Sequence, residues 1–266
     1  MVFLKKWFGQ NFISDKNLIN KIINCLDQDK DQLIIEIGPG KGALTKEICD
    51  KYNKVIAIEI DESLKTVLQT NIISKNFELI IGDILQIDLK KIILNQSHQK
   101  VSIISNLPYY ITSEILFKIL EISNFLSCAV LMMQKEVASR ICAKKDEKNY
   151  NNLSVACQFY SELKYEFSVS KKMFYPVPKV DSAIVSFKFT AKNLKKINND
   201  KKFIAFVRKI FNNKRKTILN NLFNITNDKE KATRILQKID IDKNLRPENI
   251  TMDQFILLWN EVQNEN

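Results

Sequence analysis

The chain has 266 residues, 45% of them apolar and 27% charged, and its formal net charge is +11. These proportions are typical of a globular protein with a sizeable core, and they exclude a disordered chain or a collagen-like repeat. The longest apolar run, Cys128 to Met133, is far shorter than the roughly 20 residues that a membrane-spanning helix needs. The apolar start before Lys5 is too short for a secretory leader, so we expect a cytoplasmic protein without membrane contact.

Strand-like apolar runs alternate with amphipathic stretches over the first two thirds of the chain. This alternation predicts an α/β fold, a mainly parallel sheet with helices on both faces. The predicted strands are Leu33–Ile37, Val55–Ile60, Glu78–Ile81, Val101–Ser105, Cys128–Met133 and Ala183–Phe189. One predicted helix is capped by Ser14 or Asp15, and another covers Glu114–Glu121. We place this first domain at residues 1–190.

The segment 191–200 is polar and lysine-rich, and it is predicted to be a linker. After it we expect only helices, at Lys201–Ile210, Arg215–Phe223, Lys229–Ile239 and Asp253–Val262. The pattern therefore predicts a small all-helical domain over residues 191–266.

Positive charge is concentrated where this second domain begins. Residues 195–216 hold nine Lys or Arg against one Asp, a net charge of +8, whereas the other 244 residues together carry +3. Such a block favours an anionic partner, although a solvated helix face is the alternative.

The five cysteines are widely separated and form no CxxC pair. An odd number without that spacing indicates reduced packing residues, and we expect no metal site.

Three of the five glycines directly follow the first predicted strand. Gly38, Gly40 and Gly42 would let a loop approach a nucleotide-like ligand at the carboxyl ends of parallel strands. Glu59 ends the second predicted strand, where a carboxylate can accept ribose hydroxyls, and Asp83 ends the third.

The same glycine spacing also fits the dinucleotide pattern GxGxxA, which leaves a nicotinamide enzyme open. Glu36 immediately precedes the glycines, where it would repel a pyrophosphate and attract a ligand that carries ammonium and sulfonium charges. The segment Glu-Ile-Gly-Pro-Gly-Lys-Gly, from Glu36 to Gly42, resembles motif I of the S-adenosylmethionine methyltransferases.

The fourth predicted strand leads into Asn106-Leu107-Pro108-Tyr109. Proline ends the ladder and leaves the last carbonyls free as acceptors. If the Asn106 side-chain oxygen and the Leu107 carbonyl accept the two hydrogens of an aromatic amine, its nitrogen can direct a lone pair at a methyl group. Tyr109 would stack on the base. We expect direct in-line transfer without a general base, with His98 at the surface.

Asn-Leu-Pro-Tyr after this motif I resembles the ribosomal RNA adenine N6,N6-dimethyltransferase family. Four more segments are similar to family signatures: Phe8–Phe12 to FGQNF, Phe174–Ser182 to FxPxPKVDS, Asn213–Ile218 to a QRRKT-type element, and Leu245–Glu248 to LRPE. The resemblance implies a Rossmann-like class I methyltransferase domain followed by a small helical RNA-binding domain.

The resemblance also implies roles for individual residues. The cofactor S-adenosylmethionine would be lined by Asn11, Ile13, Gly38, Gly40, Glu59, Asp83 and Asn106. The catalytic set would be Asn106, Leu107, Pro108, Tyr109 and Phe174, with Tyr109 and Phe174 on either side of a flipped adenine. RNA would contact Lys209, Lys214, Arg215 and Lys216. Asn213 and Lys214 depart from the usual Gln and Arg, and a lysine lacks the bidentate fork of arginine.

The function implied is dimethylation of two adjacent adenosines in the 3′-terminal helix loop of small-subunit (16S) ribosomal RNA, during ribosome biogenesis. The enzyme would act as a monomer on that RNA or on an assembling small subunit. One alternative is the macrolide-resistance group, which methylates large-subunit RNA and usually has isoleucine where this chain has Leu107. Another is an RNA-binding assembly factor in which methylation is secondary.

Overall fold

The computed structural model of the protein describes residues 11–97 and 100–265, and these form two compact units. The first unit holds the chain up to Ala138 and Glu162–Thr190, and the second holds Ser139–Ser161 and the chain from Ala191 onward. The sequence-based division also separates residues 190 and 191, but it kept 139–161 with the sheet. That segment joins the helices because the ring of Phe159 packs against Phe203, with the ring centroids 4.7 Å apart.

The first unit contains a seven-stranded sheet. Its strands are β2 (Leu33–Ile37), β3 (Lys54–Glu59), β4 (Phe77–Ile81), β5 (Val101–Asn106), β6 (Cys128–Gln134), β7 (Ser161–Val169) and β9 (Ser182–Phe189). They lie in the order β4-β3-β2-β5-β6-β9-β7; β2 to β6 pair in parallel, and β9 is antiparallel to β6. This mixed sheet confirms the predicted Rossmann-like fold class, and β7 is a strand that the sequence analysis missed.

The central strands form because they are runs of apolar residues rich in Ile and Val, which suit a sheet that is covered on both faces. Every residue of β2 is buried. Strand order reverses between β2 and β5, which lie side by side with Leu33 opposite Val101. Ligands of open α/β sheets bind at such a reversal, beyond the carboxyl ends of the strands.

Helices cover the sheet of the first unit. They are α1 (Lys16–Ile23), α2 (Ala43–Lys51), α3 (Lys65–Asn71), α4 (Leu89–Leu94), α5 (Thr112–Glu121) and α6 (Lys135–Cys142), whose second half belongs to the other unit. The cap of α1 is Asp15, whose side chain accepts from the Leu18 N–H at 2.7 Å. This bond satisfies a donor that the helix itself leaves unpaired.

A two-stranded antiparallel ribbon lies apart from the main sheet, and the sequence analysis did not predict it. Strand β1 (Phe12–Ile13) pairs with β8 (Phe174–Tyr175), with Phe12 opposite Tyr175 and Ile13 opposite Phe174. The ribbon therefore joins two segments that are more than 150 residues apart in the chain.

The second unit is helical, as predicted. Its helices are α7 (Asn152–Tyr160), α8 (Asp200–Phe211), α9 (Ile218–Thr226), α10 (Lys229–Lys238) and α11 (Met252–Asn264). Helix α9 begins three residues later than predicted because Thr217 caps it, accepting from the Asn220 N–H at 3.4 Å. None of the helices in the described residues is both long enough and apolar enough to cross a membrane.

Candidate active site

A cavity of about 670 Å³ opens at the carboxyl ends of β2, β3, β4 and β5. All of its lining residues belong to the first unit. The volume lies in the range of small-molecule and cofactor sites. Nine of the residues with an expected cofactor or catalytic role lie in its wall: Asn11, Ile13, Gly38, Gly40, Glu59, Asp83, Asn106, Leu107 and Pro108.

The glycine turn forms one wall of the cavity. Gly38, Gly40 and Gly42 have φ values of +70°, +59° and +84°, in the left-handed region that disfavours side chains. A Cβ at Gly40 would lie 2.8 Å from Cε1 of Phe12, whereas a Cβ at Gly38 would meet no atom within 4 Å. The turn is therefore packed against β1 at Gly40 and open at Gly38.

Glu59, at the end of β3, is held by backbone N–H groups. Its Oε2 accepts from Gly40 at 3.0 Å and its Oε1 accepts from Asp61 at 2.9 Å. Burial raises the pKa of the Glu59 carboxyl, and the bonds from these N–H groups lower it again. The two bonds fix the carboxylate against the glycine turn, and each oxygen keeps a lone pair for a ligand hydroxyl.

Asp83 follows β4 and is oriented in the same way. Its Oδ1 accepts from the Leu85 N–H at 2.9 Å. Asp83 and Tyr110 both line the cavity. Burial raises the pKa of the Tyr110 phenol, and the charge of Asp83 raises it further.

Glu36 is a buried carboxyl in the cavity wall, with one oxygen unpaired in the part of the chain that the structure describes. Its side chain is 1% exposed, and its Oε2 has no hydrogen-bond partner among the described residues. Burial raises the pKa of Glu36 to about 7; the Thr45 hydroxyl lowers it, and the charge of Glu59 raises it further. A buried carboxylate oxygen without a hydrogen-bond partner is costly, so a cationic group is the ligand that suits this position. Glu36 was not among the predicted site residues, although the sequence places its charge directly before the glycines.

The tip of β5 presents the acceptor groups. The Asn106 side-chain Nδ2 donates to the Asn11 backbone carbonyl at 2.9 Å, which leaves Oδ1 as the accepting end of that amide. The Leu107 N–H donates to the Met132 carbonyl at 2.9 Å. The next carbonyl, that of Pro108, accepts from the Thr112 hydroxyl at 3.0 Å. The Asn106 amide and the Leu107 peptide are therefore both held in place by hydrogen bonds.

The two expected base-stacking residues do not line the cavity. The Tyr109 hydroxyl forms a 2.6 Å hydrogen bond with the Ser182 hydroxyl, and burial raises the pKa of Tyr109. Phe174 is 3% exposed and packs in the hydrophobic core with Ile13 and Ile19. Both residues are therefore sequence neighbours of cavity residues, but neither belongs to the cavity wall.

Two of the aromatic residues that line the cavity are the sequence neighbours of Tyr109 and Phe174. Tyr110 is 53% exposed and Tyr175 is 71% exposed, and both contribute to the cavity wall together with Phe12. None of the three was among the predicted site residues. Successive residues of a strand point to opposite faces, so with Phe174 inward, Tyr175 had to point outward.

The four expected RNA contacts all lie in the second unit, and they differ in environment. Lys209, Arg215 and Lys216 are exposed. The Lys214 ammonium instead donates to the carbonyls of Lys148 and Tyr150, at 2.7 and 2.9 Å, and lies 3.0 Å from the Glu248 carboxylate. An ammonium has three N–H donors, so Lys214 is fully engaged within its own unit.

The first three residues of the FGQNF-like segment, Phe8–Gln10, and the single histidine, His98, lie outside the described residues. The described residues contain no group of three or more His, Cys, Asp or Glu side chains that could hold a metal ion.

Comparison with known proteins gives a consistent picture. Residues 2–264 match the family model described as Ribosomal RNA adenine dimethylase. Two relatives carry the name Ribosomal RNA small subunit methyltransferase A. The one from Mycoplasma capricolum subsp. capricolum is 60% identical and covers 97% of each chain, and the one from Fusobacterium nucleatum subsp. nucleatum is 41% identical and covers 96% of each. A crystal structure of a dimethyladenosine transferase from Plasmodium falciparum superposes with a TM-score of 0.82 at 25% identity, covering 96% of this chain and 98% of that one.

Proposed function

Because the chain belongs to the ribosomal RNA adenine dimethylase family, we propose that it transfers methyl groups from S-adenosylmethionine to N6 of adenines in small-subunit ribosomal RNA. The expected target is the pair of adjacent adenosines in the loop of the 3′-terminal helix. Such a substrate places the reaction in the cytoplasm, and we propose that the enzyme acts as a monomer. The observation that carries this proposal is the cavity, in which a cation site and an amine-accepting site share one wall.

The cofactor half of the cavity suits S-adenosylmethionine. The orphaned Glu36 Oε2 can accept from the ammonium of its methionine part. Glu59, already oriented by the glycine turn, can accept from ribose hydroxyls. The open space at Gly38 admits a ligand that a Cβ there would exclude. When bound, the cofactor supplies a methyl group on a positively charged sulfur, ready for in-line displacement.

The acceptor half needs no general base. An adenine amine is a weak nucleophile because its lone pair is delocalised into the ring. The Asn106 Oδ1 and the Leu107 carbonyl can each accept one of its hydrogens, which lets the nitrogen pyramidalise and point its lone pair at the methyl group. The bonds from Asn106 to Asn11 and from Leu107 to Met132 hold both acceptors before the substrate arrives.

We propose that Tyr109 stacks on the acceptor adenine, with Phe174 on its other side. Methyl transfer places a positive charge on N6, and the face of an aromatic ring stabilises that charge. In this state the Tyr109 hydroxyl is bonded to Ser182 and Phe174 lies in the core, so the sandwich requires both side chains to turn toward the base as it enters.

The helical unit would bind the RNA backbone. Lys209, Arg215 and Lys216 are exposed cations, and phosphate contacts by such residues dominate the affinity for RNA. Because Lys214 is engaged in its own unit, we propose a structural role for it in place of phosphate binding.

Two other functions are distinguished by experiment. A large-subunit methyltransferase would place its product in the other ribosomal RNA. An assembly factor would depend on the basic block and tolerate loss of Asn106. The relatives named for the small subunit, at up to 60% identity, favour the first proposal.

The test is methyl transfer from S-adenosylmethionine to small-subunit and large-subunit ribosomal RNA, followed by mass spectrometry of the nucleosides. We expect dimethyladenosine in the small-subunit RNA alone. Asn106→Ala should lower the rate by about a hundredfold or more while still binding the cofactor. Asn95→Ala, at the exposed end of α4, is the matched control and should leave the rate unchanged. Product in the large-subunit RNA, or full activity of Asn106→Ala, would overturn the proposal.

A further inference from the structure

Residues 171–180 form a ridge next to the cavity, and the proposed chemistry uses only its buried residue, Phe174. Along this ridge Met173, Tyr175 and Val177 are exposed, the last two by 71% and 59%, while Phe174 between them is buried. Met173 ends a short 3-10 helix, and the two residues after it form β8, in which successive side chains point to opposite faces. The ridge therefore presents a short row of large apolar side chains to solvent, which a protein seldom leaves uncovered without a use.

Tyr175 connects this ridge to the cavity. It lies opposite Phe12 in the β1–β8 ribbon, and both residues contribute to the cavity wall. Leu107, whose carbonyl would accept the adenine amine, is 1% exposed. Because the acceptor base must reach that buried peptide, the much more exposed Tyr175 ring lies at the rim, where a neighbouring nucleotide would remain.

Positive charges lie close to Tyr175 in the chain. Lys172, three residues before it, and Lys179, four residues after it, are both exposed. The two ends of this segment are held together, because the Lys171 N–H donates to the Asp181 carboxylate at 2.9 Å. An aromatic platform between cations is the arrangement that binds single-stranded nucleic acid, with bases stacked on rings and phosphates on lysines.

We propose that Tyr175 stacks on the RNA base next to the acceptor adenine, with Lys172 and Lys179 holding the adjoining phosphates. This inference rests on the proposed function, and it adds a residue that selects an unstacked RNA strand. Stacking on the neighbour fixes the strand while the acceptor base turns into the cavity. Tyr175 therefore acts on substrate binding and not on the chemical step.

The experiment uses the full-length protein, S-adenosylmethionine and an RNA hairpin with one acceptor adenine in its loop. Two further hairpins carry an abasic nucleotide on the 5′ or the 3′ side of that adenine. We expect Tyr175→Ala to raise KM for the parent RNA by about fivefold to a hundredfold, the range for loss of one stacked base. The kcat value should stay within about twofold, and Tyr175→Phe should restore KM. Tyr165→Ala, which removes a tyrosine on β7 that does not line the cavity, is the matched control.

The abasic hairpins identify what Tyr175 touches. One of them should raise KM for the wild type as much as Tyr175→Ala does, and should have no further effect on that variant. An unchanged KM in Tyr175→Ala, a full abasic penalty that persists in it, or a loss confined to kcat would overturn the proposal.

Binding without catalysis separates this inference from the proposed function. With 2-aminopurine at the neighbouring position, the wild type should quench its fluorescence and Tyr175→Ala should not. If quenching depends on Tyr175 but no methyl is transferred to any hairpin, the stacking role stands and the proposed activity fails. If methyl is transferred but quenching is independent of Tyr175, the stacking role fails alone.

Discussion

The Glu36→Gln substitution should change the pH dependence of stability in the ligand-free protein. Burial raises the pKa of this carboxyl from 4.5 to about 7. A carboxyl with a raised pKa holds its proton more tightly in the folded state than in the unfolded state, so stability is lost as pH rises from 4.5 through 7. One pH unit corresponds to about 1.4 kcal/mol, and the whole cost is therefore about 3 kcal/mol at pH 8.

Glutamine does not titrate, so the variant escapes this cost. The free energy of unfolding of Glu36→Gln minus that of the wild type should rise by about 2–3 kcal/mol between pH 5 and pH 8. Taking the difference between two pH values cancels any fixed cost of burying the amide. Urea unfolding of both ligand-free proteins, followed by circular dichroism, measures it. Glu62→Gln, at an exposed carboxylate, is the control and should change the difference by less than about 0.5 kcal/mol.

The same substitution should also weaken cofactor binding. Loss of a charged hydrogen bond to the ligand ammonium predicts an increase in Kd of about tenfold or more at pH 8, measured by calorimetry. In the wild type, affinity should fall as pH drops below 7, because Glu36 must release its proton to receive a cation. A stability difference that is equal at pH 5 and pH 8, or one that falls, would refute the assignment of a raised pKa to Glu36.

Three further predictions concern the glycine turn, the basic element and the acceptor site. Gly40→Ala places a Cβ 2.8 Å from the Phe12 ring at a positive φ, so it should lower the free energy of unfolding by about 1–2 kcal/mol and weaken cofactor binding; unchanged urea unfolding would contradict this. Lys214→Ala removes two hydrogen bonds to carbonyls and one ion pair. It should lower the free energy of unfolding, measured by thermal unfolding, by about 1–2 kcal/mol. Lys216→Ala should leave stability unchanged and reduce the salt slope of RNA binding by about one; the opposite pattern would return Lys214 to the RNA interface. Tyr109→Phe keeps the ring and should retain kcat within about threefold, whereas Tyr109→Ala should lose about tenfold in single-turnover methyl transfer; equal rates for the two variants would exclude a stacking role.

The central sheet could be predicted because a local sequence pattern marks each of its central strands. Continuous apolar runs, such as the one at β2, mark strands buried on both faces, and the structure has that strand with the predicted bounds. The edge strand β7 alternates between polar and apolar residues, which is the pattern of a strand with one exposed face. It was missed because the predicted strands rest on continuous apolar runs, and β7 has none. Helix α7 was missed because it is apolar on nearly all sides, which hides the 3.6-residue period.

The sequence by itself determined the chemistry available at the carboxyl ends of the strands. The local patterns are the closely spaced glycines, an acidic residue at the end of one strand and just after another, and Asn106 shortly before a proline. Parallel strands bring their ends to one edge of a sheet. These patterns were enough to indicate a cofactor turn and an amine acceptor.

Only the tertiary structure decided which distant residues orient those groups. The Asn106 amide is oriented by the Asn11 carbonyl, 95 positions away in the chain. The pairing of β8 with β1 places Tyr175 in the cavity wall and Phe174 in the core. Lys214 donates to the carbonyls of Lys148 and Tyr150, which come from another part of its unit. Local periodicity cannot specify such contacts, because each one depends on packing between segments that are distant in the chain.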